Sequence, residues 1–295
     1  MLIHLGLLLA CFLWAISFIA SKVALESAPP LTVVALRLIL SALCFVVWFI
    51  IRGWPKIEWT FARIRQLVLL SLIGTTFHYG IQTVGLQYTA ASNASLYAAT
   101  CPISIAVIAA IFLRERLTWC GAVGIFLALS GALLAIGFST LLSLEFRGRL
   151  FGDVLVFTSI FLWAIFTVYS KKITEELGAM ELLGIVTIVG AITTIPVGGV
   201  EMWRHGAHLS SVTLKSWVAI GFLGLTCSFL ATLLYFLALE KLESQRVGVY
   251  LYTIPLMTYV VAWLYLGEHV GWNLAGGSAL VLAGVYLTER GAEPC

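Results

Sequence analysis

Charge is what this sequence has least of. Lys, Arg, Asp and Glu make up 11% of its 295 residues, against 61% hydrophobic ones, and the mean hydropathy is +1.04. A soluble domain carries roughly twice that share of charge, because charged side chains keep its surface wet. A surface this poor in charge faces an apolar solvent, so the chain is expected to sit in lipid. The net charge of +3 is small and scattered, which excludes nucleic-acid partners, since those need a clustered basic face.

Other absences narrow the field. The six cysteines, Cys11, Cys44, Cys101, Cys120, Cys227 and Cys295, include no CxxC pair and no metal-ligand spacing. Reduced thiols, with no metal and no cofactor, are therefore expected. No Ser/His/Asp set or phosphate loop occurs at a workable spacing, so the chain does not read as an enzyme. No Lys or Arg precedes the apolar stretch 2–20, which favours a retained first span over a cleaved signal.

What is present is a series of long apolar runs. A helix crossing the hydrocarbon core needs about 20 apolar residues. Runs near that size lie at 3–22, 31–51, 67–87, 92–113, 119–138, 150–170, 180–200, 216–238, 246–266 and 271–288. They predict an all-α integral membrane protein of ten transmembrane helices joined mostly by short loops. The longer loops at 53–66, with Trp54, Trp59 and Arg63, and 201–215 suit the headgroup zone. With the N-terminus inside, eleven Lys and Arg residues flank spans on the cytoplasmic side and five on the other. That bias places both termini in the cytoplasm of a multi-pass inner (plasma) membrane protein.

The chain also repeats itself. Phe12-Leu13-Trp14-Ala15-Ile16 returns as Phe161-Leu162-Trp163-Ala164-Ile165, and Ser21-Lys22 returns as Ser170-Lys171 at the same distance. Thr100-x-Pro102 with Glu115 returns as Thr253-x-Pro255 with Glu268; Tyr97 matches Tyr250, Trp119 matches Trp272 and Gly131 matches Gly284. Five spans per copy is an odd number, so the second copy must be inverted relative to the first. The reading is a first repeat at 1–138, a linker at 139–149 and a second, inverted repeat at 150–295. Inverted repeats are the architecture on which many secondary transporters build alternating access.

These segments, the stretches Arg114-Glu115-Arg116-Leu117 and Gly267-Glu268-His269, and Pro30 followed by Arg37 resemble the EamA type of the drug/metabolite transporter superfamily over essentially the whole chain. The resemblance implies ten helices in two inverted halves around a central cavity, and export of amino acids and related metabolites. Small drug/proton antiporters of that superfamily rely on a buried Glu in their first helix, whereas this chain has no acid between Leu2 and Val23. A proton-coupled drug or cation antiporter stays as the alternative, and a non-transporting scaffold as another.

Ionisable groups deep in a membrane are functional candidates, and here they are Arg37 and His78. Arg37 reads either as an anchor for a substrate carboxylate or as a side chain that snorkels or pairs with a helix end. His78 reads either as a proton carrier or as a neutral ring bonded within the bundle, so protons stay open as a coupling ion. Lys22, Asp153, Glu181 and Glu240 lie near span ends, within reach of the headgroups. Glu115 and Glu268 read as caps or stabilising pairs. Trp14, Ser17, His78, Tyr79, Gln82, Asn93, Tyr97, Trp163, Tyr235 and Tyr250 are the expected contacts of a small-molecule substrate, because polar groups in lipid turn to the bundle interior. Pro102 and Pro255 are expected to bend their helices beside that site, each freeing the carbonyl four residues earlier.

Overall fold

The computed structural model describes residues 2–89, 94, 97–115, 118–136, 146–206, 208–266 and 272–290; at 135–136, 146–149, 259–260, 262–266, 272–275 and 289–290 it describes the backbone only. Every regular element among them is helical. In chain order these are α1 (Leu2–Ala24), α2 (Pro30–Arg52), α3 (Phe61–Tyr88), α4 (Cys101–Phe112), α5 (Trp119–Ile136) and α6 (Phe146–Leu177). There follow α7 (Ala179–Arg204), α8 (Leu214–Leu239), α9 (Ser244–Val249), α10 (Thr253–Leu266) and α11 (Trp272–Arg290). Six of them, α1, α2, α3, α6, α7 and α8, are long and apolar enough to cross a membrane, and α4, α5 and part of α11 are apolar but shorter.

Local chemistry sets several boundaries. α2 starts on Pro30, whose missing N–H costs nothing in a first turn. α3 starts six residues earlier than its apolar run because the Thr60 hydroxyl accepts the Arg63 N–H at 3.3 Å. Thr213 does the same for Ser216 at the start of α8, also at 3.3 Å. α6 begins inside the stretch 139–149, expected to be a linker. It runs on to Leu177, its last turns carrying the Lys171–Glu175 pair at 2.7 Å.

The expected fourth and ninth spans are interrupted. The chain turns at Ala99 and Thr100 before α4, and a 3-10 turn at Tyr250–Tyr252 separates α9 from α10. α3 and α8 are each π-helical in the middle, at Leu72–Phe77 and Leu223–Ala231. Such bulges often mark functional segments.

The helices pack in pairs, α5 on α11, α2 on α7, α3 on α6, and α1 on both α8 and α10. Glycine lets α5 and α11 meet closely: a Cβ at Gly131 would stand 2.7 Å from the Gly277 carbonyl oxygen, and one at Gly124 2.7 Å from that of Gly284.

Several of the charges near span ends bond to groups at the ends of neighbouring helices. The Lys22 ammonium donates to the Leu86 carbonyl in the last turn of α3. The Lys171 ammonium donates to the carbonyls of Leu239 at 2.6 Å and Leu242 at 2.8 Å, where α8 ends. Asp153 is buried and accepts from the Thr89 hydroxyl. Glu240 accepts from the Ala179 N–H at 3.2 Å, and Glu181 occupies the first turn of α7. Glu115 caps α9 as expected, accepting from the N–H groups of Ser244 at 3.0 Å and Gln245 at 3.3 Å. Glu268 lies outside the described residues. Cys11, Cys44, Cys101 and Cys227 are free thiols, whereas Cys120 is disulfide-bonded, contrary to the expectation for it.

Candidate functional site

The helix pairs leave a cavity between them, with about 560 Å³ of space free of protein atoms, its open mouth included. α1 contributes Trp14, Ser17 and Phe18 to its wall, and α2 contributes Arg37. α3, just past its π segment, contributes His78, Tyr79 and Gln82. Ile160 and Trp163 come from α6. The two interrupted spans add Ala98 with Cys101, and Leu251 with Ile254.

Arg37 is the charged group of this wall. Its side chain is 2% exposed, so it does not snorkel. Its Nε donates to the Ser228 hydroxyl at 2.9 Å, and its guanidinium carbon sits 4.2 Å from the centroid of the Tyr79 ring. A cation over an aromatic face gains about 0.5–2 kcal/mol, which falls short of the roughly 2.5–3.5 kcal/mol that insertion scales assign to Arg at a membrane centre. Among the described residues no carboxylate pairs with it. The Ser228 bond, as a hydrogen bond to a charged group, adds about 1.5–3 kcal/mol, so the two contacts together are of the size of that cost.

His78 donates from Nδ1 to the Ser159 carbonyl at 2.8 Å, since a carbonyl can only accept. That bond fixes the tautomer and holds the ring within the bundle. The ring also packs against Tyr79 and Trp163, with centroids 4.8 and 5.2 Å away. Trp14 and Trp163 meet edge to face at 5.4 Å, and the Trp14 indole N–H donates to the Cys227 carbonyl at 3.4 Å. Ser17 turns its hydroxyl back to the Trp14 carbonyl at 2.6 Å. The Gln82 amide has no hydrogen-bond partner among the described residues, so it is available to an occupant.

Of the expected contacts, Trp14, Ser17, His78, Tyr79, Gln82 and Trp163 come together here. Three tyrosines do not line the cavity, because their helices turn them elsewhere. Tyr235 is fully buried behind the wall, 5.3 Å from Trp14 and 5.8 Å from Trp163, and its hydroxyl, beside Thr167, makes no hydrogen bond of good geometry among the described residues. The Tyr250 hydroxyl lies 2.7 Å from His4 Nδ1. Tyr97 turns its phenol to the Asp153 carboxylate. Asn93 lies outside the described residues.

Pro102 and Pro255 each follow a break instead of bending a continuous helix. In both breaks a threonine hydroxyl bonds back to the tyrosine three residues before it, Thr100 to the Tyr97 carbonyl and Thr253 to the Tyr250 carbonyl, each at 2.7 Å. Neither proline can donate to the carbonyl four residues earlier, at Ala98 and Leu251. Both of those residues border the cavity, where unwound backbone is tolerated in a membrane protein.

Sequence reasoning passed over Phe18, Cys101, Ile160 and Ile254, all apolar or weakly polar, and reached Ala98 and Leu251 only as carbonyls freed by the prolines. A signal existed. Tyr97 and Tyr250 are 153 positions apart, and so are Ala98 and Leu251, and Cys101 and Ile254. The repeat alone would have nominated both pairs once one member was known.

The EamA-like transporter family model matches residues 1–137 and again 150–290. An uncharacterized transporter of Archaeoglobus fulgidus is 31% identical over 291 residues, covering 97% of this chain and 96% of that protein. The uncharacterized transporter YoaV of Bacillus subtilis is 23% identical over 286 residues, covering 97% and 96%. Among solved proteins, one crystal structure superposes with a TM-score of 0.77 at 16% identity, covering 97% of this chain and 96% of the other, a likeness of fold. The chain belongs to the EamA-like transporter family, and it is a multi-pass membrane transporter.

Proposed function

We propose that this protein is a secondary exporter of small organic metabolites, amino acids foremost, working by alternating access through the central cavity. In this reading ten helical crossings form two inverted five-helix repeats, 1–138 and 150–295, and both termini are cytoplasmic. The observation that carries it is the make-up of the cavity wall. Trp14 faces Trp163, Ala98 is matched by Leu251, and Cys101 by Ile254, so at three places the two copies of the repeat lend equivalent positions to one shared space. Two inverted units around a shared site can rock, opening it to one side and then the other.

Amino acids suit a wall that combines a cation, an open amide and aromatic rings. No carboxylate lines the cavity among the described residues, which weighs against the antiporter of drugs or cations. His78 is held by a backbone carbonyl within the bundle, and this favours downhill facilitation over proton exchange. The test is counterflow in proteoliposomes with a panel of amino acids, with and without a pH gradient. Movement of at least one amino acid without the gradient is expected. No movement of any panel member overturns the reading, and gradient dependence that His78→Gln abolishes overturns the facilitation part alone.

A further inference from the structure

We infer that the cavity selects molecules bearing a carboxylate, and that Arg37 is the anion anchor. This rests on the transport reading above and narrows its substrate class. Arg37 is buried yet forms part of the cavity wall. Its Nε is engaged by Ser228, and its two terminal nitrogens have no partner among the described residues. The ring of Tyr79 beneath the guanidinium and the Ser228 bond fix the plane of the fork. A planar fork with two free nitrogens matches a carboxylate with two parallel N–H···O bonds.

A second feature acts in the same direction. Cys101 and Ile254, both in the cavity wall, stand in the first turns of α4 and α10. Helix N-termini carry partial positive charge, so two of them and a guanidinium surround one space, and no carboxylate lines it among the described residues. A cationic ligand without a carboxylate leaves the guanidinium unpaired and is repelled by it. The other end of an amino acid finds the Gln82 amide and the carbonyls of Ala98 and Leu251, which their prolines leave without the usual donor.

The experiment uses the full chain in proteoliposomes and an amino acid that the panel shows to move. Its counterflow is challenged with three competitors: the same amino acid, its primary amide and its decarboxylated amine. The amide and the amine are expected to compete at least about tenfold more weakly than the acid, about 1.4 kcal/mol of discrimination. In Arg37→Gln that gap is expected to shrink below about twofold, while half-saturation for the acid rises about tenfold or more. Arg37→Lys, which keeps the charge and loses the fork, is expected to fall between.

Equal competition by acid and amide in the unaltered protein overturns the anchor and leaves transport standing. So does a gap that survives Arg37→Gln. Inorganic phosphate or chloride competing as well as the acid overturns the carboxylate assignment. No movement of any panel member is a different failure, of the transport reading itself. The competitor ranking in the unaltered protein decides the matter even where a variant fails to insert.

Discussion

Two lysines, 149 positions apart, do the same work at two helix ends. Lys22 donates to the Leu86 carbonyl and Lys171 to that of Leu239, and these carbonyls are 153 positions apart. A cation at a helix C-terminus satisfies carbonyls that have no donor within the helix and opposes the negative end of its dipole. Lys171 holds two of them, so Lys171→Met is expected to cost about 1.5–3 kcal/mol, the range for hydrogen bonds to charged groups. Thermal unfolding in detergent reads this as a lowered midpoint, with Lys171→Arg retaining part of the loss. Tyr235 makes the opposite case. Its buried hydroxyl makes no hydrogen bond of good geometry among the described residues, with Thr167 and Trp163 beside it, so Tyr235→Phe removes a polar group that is poorly satisfied in the folded state. The expected outcome is a midpoint unchanged or raised by up to about 1 kcal/mol of stability, with counterflow retained. A large loss of counterflow would give that hydroxyl a direct part in the site.

At the scale of elements, the sequence announced the helices better than their interruptions. Apolar runs located α1, α2, α5, α7 and α8 to within a few residues, because lipid demands a minimum apolar length. The start of α3 was hidden, since Phe61–Arg65 is not an apolar run and only the Thr60 cap marks it. Pro102 and Pro255 were legible as disturbances. Where each helix stops and restarts, the Thr100 and Thr253 hydroxyls bond the Tyr97 and Tyr250 carbonyls, to which the backbone N–H groups of the same threonines also donate. Thr253→Val keeps the shape and removes the hydroxyl, leaving a buried carbonyl with one fewer donor. A loss of about 1 kcal/mol is expected, seen in detergent unfolding, with Thr100→Val costing less because its bond is only part-buried. An equal or larger loss for Thr100→Val would mean that burial does not set the worth of these bonds. The wall residues divide along the same line. Trp14, Ser17, His78, Tyr79, Gln82 and Trp163 were legible because polar and aromatic groups stand out in an apolar chain. Tyr97, Tyr235 and Tyr250 stand out equally, and only the rotation of their helices, which sequence does not give, sends them elsewhere.

For the whole molecule, alternating access requires that one end of the cavity close while the other opens. His4 and Asp153 are 149 positions apart, and each faces the tyrosine of an interrupted span, His4 facing Tyr250 and Asp153 facing Tyr97. On the proposed inverted arrangement these two contacts would sit at opposite ends of the bundle. Tyr250→Phe removes the hydroxyl that lies 2.7 Å from His4, so closure at that end weakens by about 1 kcal/mol, roughly a fivefold shift of the opening equilibrium. Cys101, a native thiol in the cavity wall, reports that shift directly. In a chain whose other cysteines are serine, a membrane-impermeant thiol reagent is expected to reach Cys101 from either face of oriented vesicles while substrate is present on both sides. Tyr250→Phe is expected to speed labelling from the face nearest His4 several-fold and to slow it from the other, because a two-state equilibrium that gains on one side loses on the other. Labelling from a single face under every condition would mean that the cavity does not alternate, whatever the symmetry of its walls.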